Sequence, residues 1–309
     1  MSGPLFTVLI NAYNGERYLK EAIDSVYAQT LQDFEIVLYD DASTDSTPEI
    51  ARGYDQRLRY ARAEKQVPLG EARNRALELA RGRYVAFLDQ DDLFLPEKLE
   101  RQAAAFEDGA ALVFSNSLGV WEREGREAVR YRTRPPDGMA FRALLKGYYL
   151  SLNTVAIRRD ALPQDRVWWF PTHFKMCEET DLFLRLAHDR PIAYVDAVLA
   201  KYRMHGGNFS LQRRELILVE GQEMLQRLGR VIPDFEKRYA AEIAAFKGDL
   251  KRTEGRIRWI EGRRPRAWAA YLDALRFEAR PAYLAELLAS VALTYPGYGR
   301  LRGWLGRPV

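Results

Sequence analysis

The first 110 residues alternate between short apolar runs and segments whose apolar residues recur at helical spacing, and this alternation constrains the fold most. The apolar runs are LFTVLINAYN, FEIVLYDDAS, LRYARAE and RYVAFLD, and each precedes a segment that favours a helix. Strands connected through helices form parallel sheets with helices on both faces. The sequence therefore predicts an α/β fold with a mostly parallel sheet flanked by helices.

Polar side chains follow three of these four predicted strands. They are Asn11, Tyr13, Asp40, Asp41 and residues 89–92. In open α/β sheets, ligands bind in the crevice at the carboxyl ends of the strands. We therefore expect one crevice to contain all three groups of side chains.

After residue 110 the alternation is looser. Further strands are predicted over ALVFSNSLGVW, EAVRYRT, SLNTVAIRRDAL and PIAYVDAVLAKYRM, and a helix over EETDLFLRLAHD. From Leu211 onward the pattern is almost entirely helical, with breaks at Pro233, Pro265 and Pro281. We expect a helical region to follow the sheet.

The composition is typical of a soluble globular protein, since 47% of the 309 residues are hydrophobic and 29% are charged. A net charge of +4 does not favour a nucleic-acid binder. Cys177 is the single cysteine, which excludes a disulfide within the chain and suits a cytoplasmic protein. We expect neither a signal peptide nor a membrane span, because the apolar run at residues 283–296 is too short and contains Glu286.

Three of the four residues 89–92 are carboxylates, which repel one another unless a cation lies among them. Such oxygens suit Mg²⁺ or Mn²⁺, which use one or two carboxylates together with substrate phosphates. A calcium loop would need glycine at Phe94, and an aspartyl-phosphate motif would need a small residue and threonine at Asp92 and Leu93. The other explanation is a solvated turn that caps the helix at Pro96.

The acids that end the second strand also have two explanations. Asp40 could accept a hydrogen bond from a nucleobase or a ribose hydroxyl. Residues 43–46 fit an Asx-type turn followed by a helix cap, which explains the serines and threonine but not Asp40. Neither a dinucleotide fingerprint nor a P-loop motif occurs in the sequence.

Two later clusters are polar as well. Glu178, Glu179 and Asp181 crowd the start of a predicted helix, where the helix dipole favours acids and a carboxylate can also act as a general base. Arg203 and His205 end a predicted strand, where arginine could bind phosphate and histidine a metal or phosphate. Lone histidines are more often structural, so these residues alone leave the choice open.

Taken in order, these segments resemble the inverting glycosyltransferases of family 2, which have the GT-A fold. The resemblance is carried by TVLINAYNGERYLKEAIDSVYAQTLQDFEIVLYDDASTDST, LGEARNRALELARGRYVAFLDQDD, EETDLFLRLA and YRMHGGNFS. It implies a GT-A domain over residues 1–210, with a nucleotide-sugar half at 1–110 and an acceptor half at 111–210. Residues 211–309, which we expect to be helical, lie outside the resemblance.

The resemblance also implies roles on the nucleotide side. In that family a nucleotide sugar lies across the strand ends. By similarity, Asn11 and Tyr13 line the nucleobase and Asp40 accepts a hydrogen bond from it, although proline or threonine would be usual at position 11. Arg73 and Asn74 are implied to lie on the nucleotide side as well.

Residues 89–91 are implied to be the D-x-D motif. Asp89 would face the ribose or the metal, and Asp91 would hold the Mn²⁺ or Mg²⁺ ion that bridges the two phosphates. His205 stands where the family often has a histidine near the metal and diphosphate. Arg203 would stabilise the charge that develops on the leaving nucleoside diphosphate.

The implied catalytic base is a carboxylate that takes the proton of the acceptor hydroxyl. The family usually has the aspartate of a Glu-Asp pair there, and this chain has Glu179, with Asp181 as the competing candidate. A glutamate is one methylene longer, so it could serve with a different acceptor geometry. Cys177 occupies the place of the usual small residue before the pair.

The C-terminal region combines Arg with Trp and Tyr, in EGRRPRAWAAYLDALRFEARPAYLAELL and YGRLRGWLGR. This composition suits either an interfacial helix on anionic lipid or a helix that packs on the catalytic domain or forms a homodimer. The basic face is interrupted by Glu261, Asp273, Glu278 and Glu286, which favours packing. Peripheral contact with the inner face of the membrane stays an open alternative for a cytoplasmic protein.

The sequence thus predicts a metal-dependent, inverting glycosyltransferase. The donor would be a UDP-sugar, with dTDP or GDP as other nucleotides, and the acceptor a hydroxyl of a glycan or lipid-linked glycan in surface polysaccharide assembly. Two other functions are a non-catalytic nucleotide-sugar-binding protein and a sugar nucleotidyltransferase. The latter would need a Gly-rich, Arg-bearing N-terminal loop, which NAYNGER is not.

Overall fold

The computed structural model describes residues 3–106, 109–208 and 212–298. The chain divides into two compact units. The first, called the sheet unit, comprises Met1–Phe141 and Tyr149–Asn208, and the second, called the helical unit, comprises Arg142–Tyr148 and Phe209–Val309. The predicted boundary at residue 210 remains a prediction.

The described part of the sheet unit forms a single mixed sheet. Its strands are β1 (Phe6–Ala12), β2 (Phe34–Asp40), β3 (Leu58–Arg62), β4 (Tyr84–Asp89), β5 (Leu93–Phe94), β6 (Leu112–Trp121), β7 (Arg126–Val129), β8 (Ala156–Arg158) and β9 (Ile192–Met204). Their order in space is β3-β2-β1-β4-β8-β6-β9-β5, with β7 beside β6.

Helices connect these strands. They are α1 (Leu19–Tyr27), α2 (Thr47–Arg52), α3 (Leu69–Leu79), α4 (Lys98–Ala105), α5 (Phe141–Lys146), which continues into the helical unit, and α6 (Glu178–His188). Single 3-10 turns occur at Glu122–Glu124, Leu152–Thr154, Arg159–Ala161 and Arg166–Trp168. The chain therefore follows the predicted alternation through β4 and becomes less regular after it.

The strand directions confirm a mostly parallel sheet. β1 to β4 are parallel neighbours, and β6 and β9 are parallel to each other. β8 lies antiparallel between β4 and β6, so a short reversed strand joins the two parallel parts. β5 and β7 are antiparallel additions at β9 and β6.

The apolar character of β1, β2 and β4 arises because both faces of these strands are covered. One face carries a core that includes Val8, Ile36 and Leu88. The other face packs Phe87 against the rings of Phe170 and Phe183. Continuous apolar runs are typical of parallel strands buried on both sides.

The strand register determines which polar residues share a face. Asn11 on β1 lies opposite Tyr39 on β2 and Asp89 on β4. Residues that face each other across parallel strands point to the same side of a sheet. Asn11 and Asp89 are therefore neighbours on one face of the sheet, where Arg73 of α3 reaches Asp89.

The two loops at this edge contain backbone in the left-handed region. Asn14 has φ 49° and Ala42 has φ 63°. Asn14 suits this conformation because its side-chain Oδ1 accepts a hydrogen bond from the backbone N–H of Thr44 at 2.9 Å. Ala42 gains no such bond, so its conformation is imposed by the surrounding turn.

The described helices of the helical unit are α7 (Leu216–Val231), α8 (Phe235–Arg238), α9 (Ala240–Ile260), α10 (Arg264–Phe277) and α11 (Pro281–Ala292). Pro265 and Pro281 lie in the first turns of α10 and α11, where a missing N–H costs nothing. The predicted breaks at these prolines are confirmed. Within the residues that are described, no helix is long and apolar enough to cross a membrane.

Candidate active site

The turn after β4 brings three aspartates to the carboxyl edge of the sheet. The backbone N–H of Asp92 donates to the Asp89 carbonyl at 3.1 Å, which closes the turn. Asp92 is buried, whereas Asp91 is partly accessible. Burial raises the pKa of Asp89, the Arg73 guanidinium opposes this, and the nearby Asp91 raises it further. The predicted crowding of carboxylates is therefore present.

Asp91 lies against His205 from the end of β9. The distance from His205 Nε2 to Asp91 Oδ2 is 2.9 Å, and Asn208 Nδ2 donates to the same oxygen at 3.4 Å. His205 Nδ1 accepts from the Gly207 N–H at 3.1 Å, so the ring proton belongs on Nε2 and is directed at Asp91. The imidazole also stacks on Tyr18, with ring centroids 5.0 Å apart.

These donors fit a divalent ion only in part. Among the residues described, no group of three or more His, Cys, Asp or Glu side chains could hold a metal. Asp91 and Asp89 nevertheless provide the carboxylates that Mn²⁺ accepts, and the His205 imidazole could join them once Nε2 has given up the proton that it directs at Asp91. Mg²⁺ and Mn²⁺ in phosphate-transfer sites commonly complete their coordination with substrate phosphates. The donor set therefore suits an ion that binds together with a diphosphate.

Arg73 on α3 joins the β4 turn to the start of α6. Its Nη1 lies 2.5 Å from Glu178 Oε1 and 3.3 Å from Glu179 Oε2, and its Nη2 lies 3.3 Å from Asp89 Oδ1. One buried cation thus faces three carboxylates. The sequence placed Arg73 on the nucleotide side, and the structure adds this connection between residues more than 100 positions apart.

Glu179 is the more accessible carboxylate of the pair at the start of α6. Its side chain is 22% exposed, against 1% for Glu178. Partial burial raises the pKa of Glu179 to about 8, the neighbouring Glu178 adds to this, and Arg73 opposes it. A carboxylate with a pKa near neutrality is suited to proton transfer.

Asp181, the competing candidate base, has a different environment. It is fully buried, and Arg185 donates to its Oδ2 through Nε at 3.0 Å and Nη2 at 2.7 Å. The pair spans one turn of α6. This geometry assigns Asp181 to an internal ion pair and leaves Glu179 better placed for an acceptor.

Asn11 and Tyr13, which were predicted to line the nucleobase, lie at the same edge of the sheet. The amide nitrogen and oxygen of Asn11 are buried and have no hydrogen-bond partner within the described residues. Buried amides are normally paired, so a ligand or water is expected there. The side chain of Tyr13 is 42% exposed.

Gln90, the middle residue of the D-x-D motif, fastens this loop to the β4 turn. Its side chain accepts from the Tyr13 N–H at 2.9 Å and donates to the Tyr13 carbonyl at 3.1 Å. Gly15 makes room, since a Cβ there would lie 2.5 Å from Gln90 Oε1. Sequence reasoning missed this residue, because the middle position of the motif carries no expected chemistry.

Asp40 has protein partners on both oxygens. The Ser43 N–H donates to Oδ1 at 2.8 Å, and the Tyr60 hydroxyl donates to Oδ2 at 2.6 Å. Asp40 is fully buried and therefore supports the turn after β2. Its predicted contact with the base stays a prediction. Asp41 is directed elsewhere and accepts from the Val67 N–H at 3.0 Å.

Asn74 holds the loop that precedes α6. Its Nδ2 donates to the Phe170 carbonyl at 2.8 Å, and its Oδ1 accepts from the Phe170 N–H at 3.0 Å. Gly70 on the same helix allows close approach, since a Cβ there would lie 2.1 Å from the Pro171 carbonyl oxygen. In the structure Asn74 positions α3 against this loop, and its predicted nucleotide role stays a prediction.

Asp92 was not predicted to have its own role, but it connects the motif to β9. Its Oδ1 accepts from the backbone N–H of Arg203 at 2.9 Å, and its Oδ2 accepts from Asn153 Nδ2 at 2.7 Å. Burial raises the pKa of Asp92 well above its usual range, and Asp89 and Asp91 add to the shift. Asp92 thereby fixes the strand end that presents His205.

The guanidinium of Arg203, predicted to bind phosphate, is held among acidic and aromatic groups. It contacts the carboxylate of Glu21, lies 3.9 Å from Glu122, and covers the Tyr18 ring at 4.9 Å. Arg203 is buried against Tyr18, the ring on which His205 stacks. A phosphate contact would require exchange with Glu21, and this role stays a prediction.

The sequence model described as Glycosyl transferase family 2 matches residues 7–162. The putative glycosyltransferase EpsH of Bacillus subtilis is 30% identical over 216 residues, which cover 66% of this chain and 62% of EpsH. The uncharacterized glycosyltransferase MJ1057 of Methanocaldococcus jannaschii is 39% identical over 225 residues, 69% of this chain and 75% of that protein. An uncharacterized glycosyltransferase of Rickettsia felis is matched over 33% of its length. The chain thus spans less than two-thirds of EpsH and of the Rickettsia protein.

Solved structures show the same fold. Staphylococcus aureus TarS 1-349 superposes with a TM-score of 0.62 at 23% identity, covering 91% of this chain and 82% of that one. The mannosyltransferase PcManGT from Pyrobaculum calidifontis, in complex with GDP-Man and Mn²⁺, gives 0.61 at 20% identity over 98% and 83%. At such identities the likeness establishes the fold and leaves substrates open.

Proposed function

Because the chain belongs to glycosyl transferase family 2, we propose that it is an inverting glycosyltransferase that uses a nucleoside diphosphate sugar. The observation that carries the proposal is the meeting of Asp91 with His205, and of Asp89 with Glu179 through Arg73, at one edge of the sheet. These groups come from separate loops. Clustered acids with raised pKa values in a crevice are typical of functional sites.

The donor would bind with its base near Asn11 and Tyr13 and its diphosphate near Asp91. A divalent Mn²⁺ or Mg²⁺ ion held by Asp91, Asp89 and His205 would offset the charge on the phosphates. TarS 1-349 has been solved with UDP-GlcNAc, and PcManGT with GDP-Man and Mn²⁺, which supports a nucleotide sugar as ligand class. We propose UDP as the nucleotide from the family resemblance.

Glu179 would take the proton of the acceptor hydroxyl as the hydroxyl oxygen attacks the anomeric carbon. The bond from that carbon to the diphosphate oxygen breaks at the same time, and attack from the opposite face inverts the centre. Arg73 would hold Glu178 and Asp89 and keep Glu179 from turning away. The raised pKa makes Glu179 a stronger base than an ordinary carboxylate.

The acceptor would be a hydroxyl of a glycan or lipid-linked glycan in surface polysaccharide assembly. Support comes from the relatives, one of which is the putative teichuronic acid biosynthesis glycosyltransferase TuaG of Bacillus subtilis, 28% identical over 211 residues. That match covers 67% of this chain and 82% of TuaG.

The test begins with thermal-shift screening of UDP- and GDP-sugars with and without Mn²⁺. A donor that binds only the folded state raises the melting temperature. We expect a metal-dependent increase for one donor and its loss in Asp91→Ala, followed by slow hydrolysis of that donor by the unmodified chain. Metal-dependent binding that survives in Asp91→Ala would refute the metal role.

The second candidate function, a non-catalytic nucleotide-sugar-binding protein, is favoured by one observation, the engagement of Asp40 and Arg203 by protein partners. It predicts the same thermal shift but no donor hydrolysis and no transfer to any acceptor glycan. Consumption of a nucleoside triphosphate and a sugar phosphate would instead indicate a nucleotidyltransferase.

A further inference from the structure

Helix α11 buries its polar side chains and exposes three of its apolar ones, while Leu287 packs partly against the core of the helical unit. On the side that faces the other helices of the helical unit, it buries the side chains of Tyr283, Glu286 and Ser290, each at most 2% exposed. On the opposite side, three apolar residues one helical turn apart are 47%, 60% and 55% exposed, namely Leu284, Leu288 and Val291. Surface helices of globular proteins normally show the reverse pattern.

The polar interior of α11 is well satisfied, so the inversion is not a packing fault. Glu286 is the single charged residue of Pro281–Ala292, and it accepts from Arg252 Nη2 at 2.6 Å and Arg256 Nε at 2.9 Å. The Tyr283 hydroxyl donates to Asp249 at 3.0 Å. Because the charge of α11 is buried in this way, its outward face holds no charged side chain at all.

The charge of the chain is unevenly distributed. Of the 47 Lys and Arg residues, 19 lie in residues 211–309, and of the 43 Asp and Glu residues, 12 lie there. This region therefore has a net charge of +7, and residues 1–210 have a net charge of −3. A basic region with an apolar helix face is complementary to a surface that is both apolar and anionic.

Two occupants could cover the apolar face, and the charge distinguishes them. A second copy of this chain would bring a region of the same charge against it, which opposes association. A stable protein interface also needs roughly 800 Å² per partner, more than one stripe on a 12-residue helix supplies. Shallow insertion into lipid needs only an apolar stripe on a region of net positive charge.

We propose that α11 docks the chain on the surface of an anionic lipid bilayer, with Leu284, Leu288 and Val291 inserted among the lipid headgroups. The helix lies in the plane of the interface and does not cross the bilayer. The proposal does not depend on sugar transfer.

The experiment is flotation of the full chain with vesicles made of phosphatidylcholine and phosphatidylglycerol in equal parts. We expect the protein to float with these vesicles in low salt and to remain at the bottom with vesicles of pure phosphatidylcholine. About 1 M NaCl, where the Debye length is roughly 3 Å, should weaken binding strongly. No flotation on the anionic vesicles in low salt would overturn the proposal.

Variants distinguish insertion of Leu284, Leu288 and Val291 into the lipid from attraction of the basic region to the anionic vesicle surface. The triple variant Leu284→Gln, Leu288→Gln, Val291→Gln keeps every charge and should partition roughly tenfold less strongly, since it loses the apolar contribution. The matched control is Val219→Gln on α7, an equally apolar and 68% exposed position that should bind as the unmodified chain does. Equal binding by the triple variant would overturn the role of α11.

Light scattering without lipid tests whether a second copy of this chain covers the apolar face of α11. A dimer that the triple variant converts to a monomer would assign the stripe to a second copy and overturn lipid docking. A monomer in both forms supports the proposal. Flotation requires no donor or acceptor, so a chain that floats but transfers no sugar would refute the reaction and leave the docking surface intact.

Discussion

Buried acids have opposite surroundings in the two units of this protein. In the sheet unit, one arginine, Arg73, faces three carboxylates, and burial raises the pKa of Glu179 to about 8. In the helical unit, one carboxylate, Glu286, faces Arg252 and Arg256, and although its burial alone would raise the pKa, the two arginines lower it. An excess of acid disfavours ionisation of the carboxylates in the sheet unit, whereas an excess of base keeps Glu286 ionised.

The largest expected effect comes from removing the proposed base. Glu179→Gln should reduce turnover by about 10²- to 10⁴-fold, because an amide cannot take the proton of the acceptor. Donor affinity should change little, so kcat falls and KM does not rise. Initial-rate kinetics with varied donor check this outcome.

Asp181→Asn is the matched control for that variant. It breaks the ion pair with Arg185 and should lower thermal stability more than turnover. Full activity in Glu179→Gln, together with an inactive but stably folded Asp181→Asn, would transfer the base to Asp181.

The second largest effect is a difference in stability between variants of the two acids, Glu286 and Glu179. Glu286→Gln leaves two arginines without their carboxylate and should destabilise the chain by about 1–3 kcal/mol. Glu179→Gln should not destabilise it, because the amide relieves repulsion with Glu178 and Asp89. Urea unfolding of both variants measures the difference. Equal losses of stability would mean that the two carboxylates have the same structural role.

The pH dependence should differ in sign between the two acids. Folding raises the pKa of Glu179 from 4.5 to about 8, so the folded state retains a proton that the unfolded state has lost, and stability falls as pH rises through this window. Folding lowers the pKa of Glu286, so its contribution is present above 4.5 and is lost as pH falls through the folded value.

Thermal melts from pH 4 to 9 should therefore show a decline toward alkaline pH that is smaller in Glu179→Gln. Turnover should increase over the upper part of the same range, because the base acts only when deprotonated. An unchanged pH slope in Glu179→Gln would show that another group causes the decline.

The smallest effect concerns the loop that Gln90 fastens. Gly15→Ala places a Cβ against the flexible end of Gln90 and should displace it from the Tyr13 backbone. The loss of about 1 kcal/mol of hydrogen bonding should raise the donor KM roughly fivefold. Gln90→Ala should do the same, and the double variant should add nothing further. An additive double variant would indicate an independent effect of Gly15.

Local pattern carried most of the fold prediction. The strands β1 to β4 and the helices between them follow from apolar runs and helical spacing, and the predicted breaks at Pro265 and Pro281 occur where helices begin. The reversal of β8 and the two-residue strand β5 were not foreseen. Both depend on pairing with strands far along the chain, which short segments do not encode.

For the candidate site, too, some contacts were expected from the sequence and others appeared only in the structure. The resemblance implied that Asp91 and His205 lie near the same metal and diphosphate, and the two side chains lie 2.9 Å apart, while their metal role stays a prediction. The sequence did not indicate that Arg73 would join Asp89 to the start of α6, nor that Asp92 would hold the end of β9. The nucleotide roles of Asp40, Asn74 and Arg203 remain predictions.

By itself, the sequence determined the α/β fold, the family and the position of acids at the strand ends, because periodicity and motif order are local and additive along the chain. Only the tertiary structure decided which carboxylate forms an ion pair with which arginine. That choice separates Glu179, with a raised pKa, from Asp181 and Glu286, which are locked in ion pairs. Charge interactions depend on distances of a few ångströms between residues remote in sequence, and those distances exist only after folding.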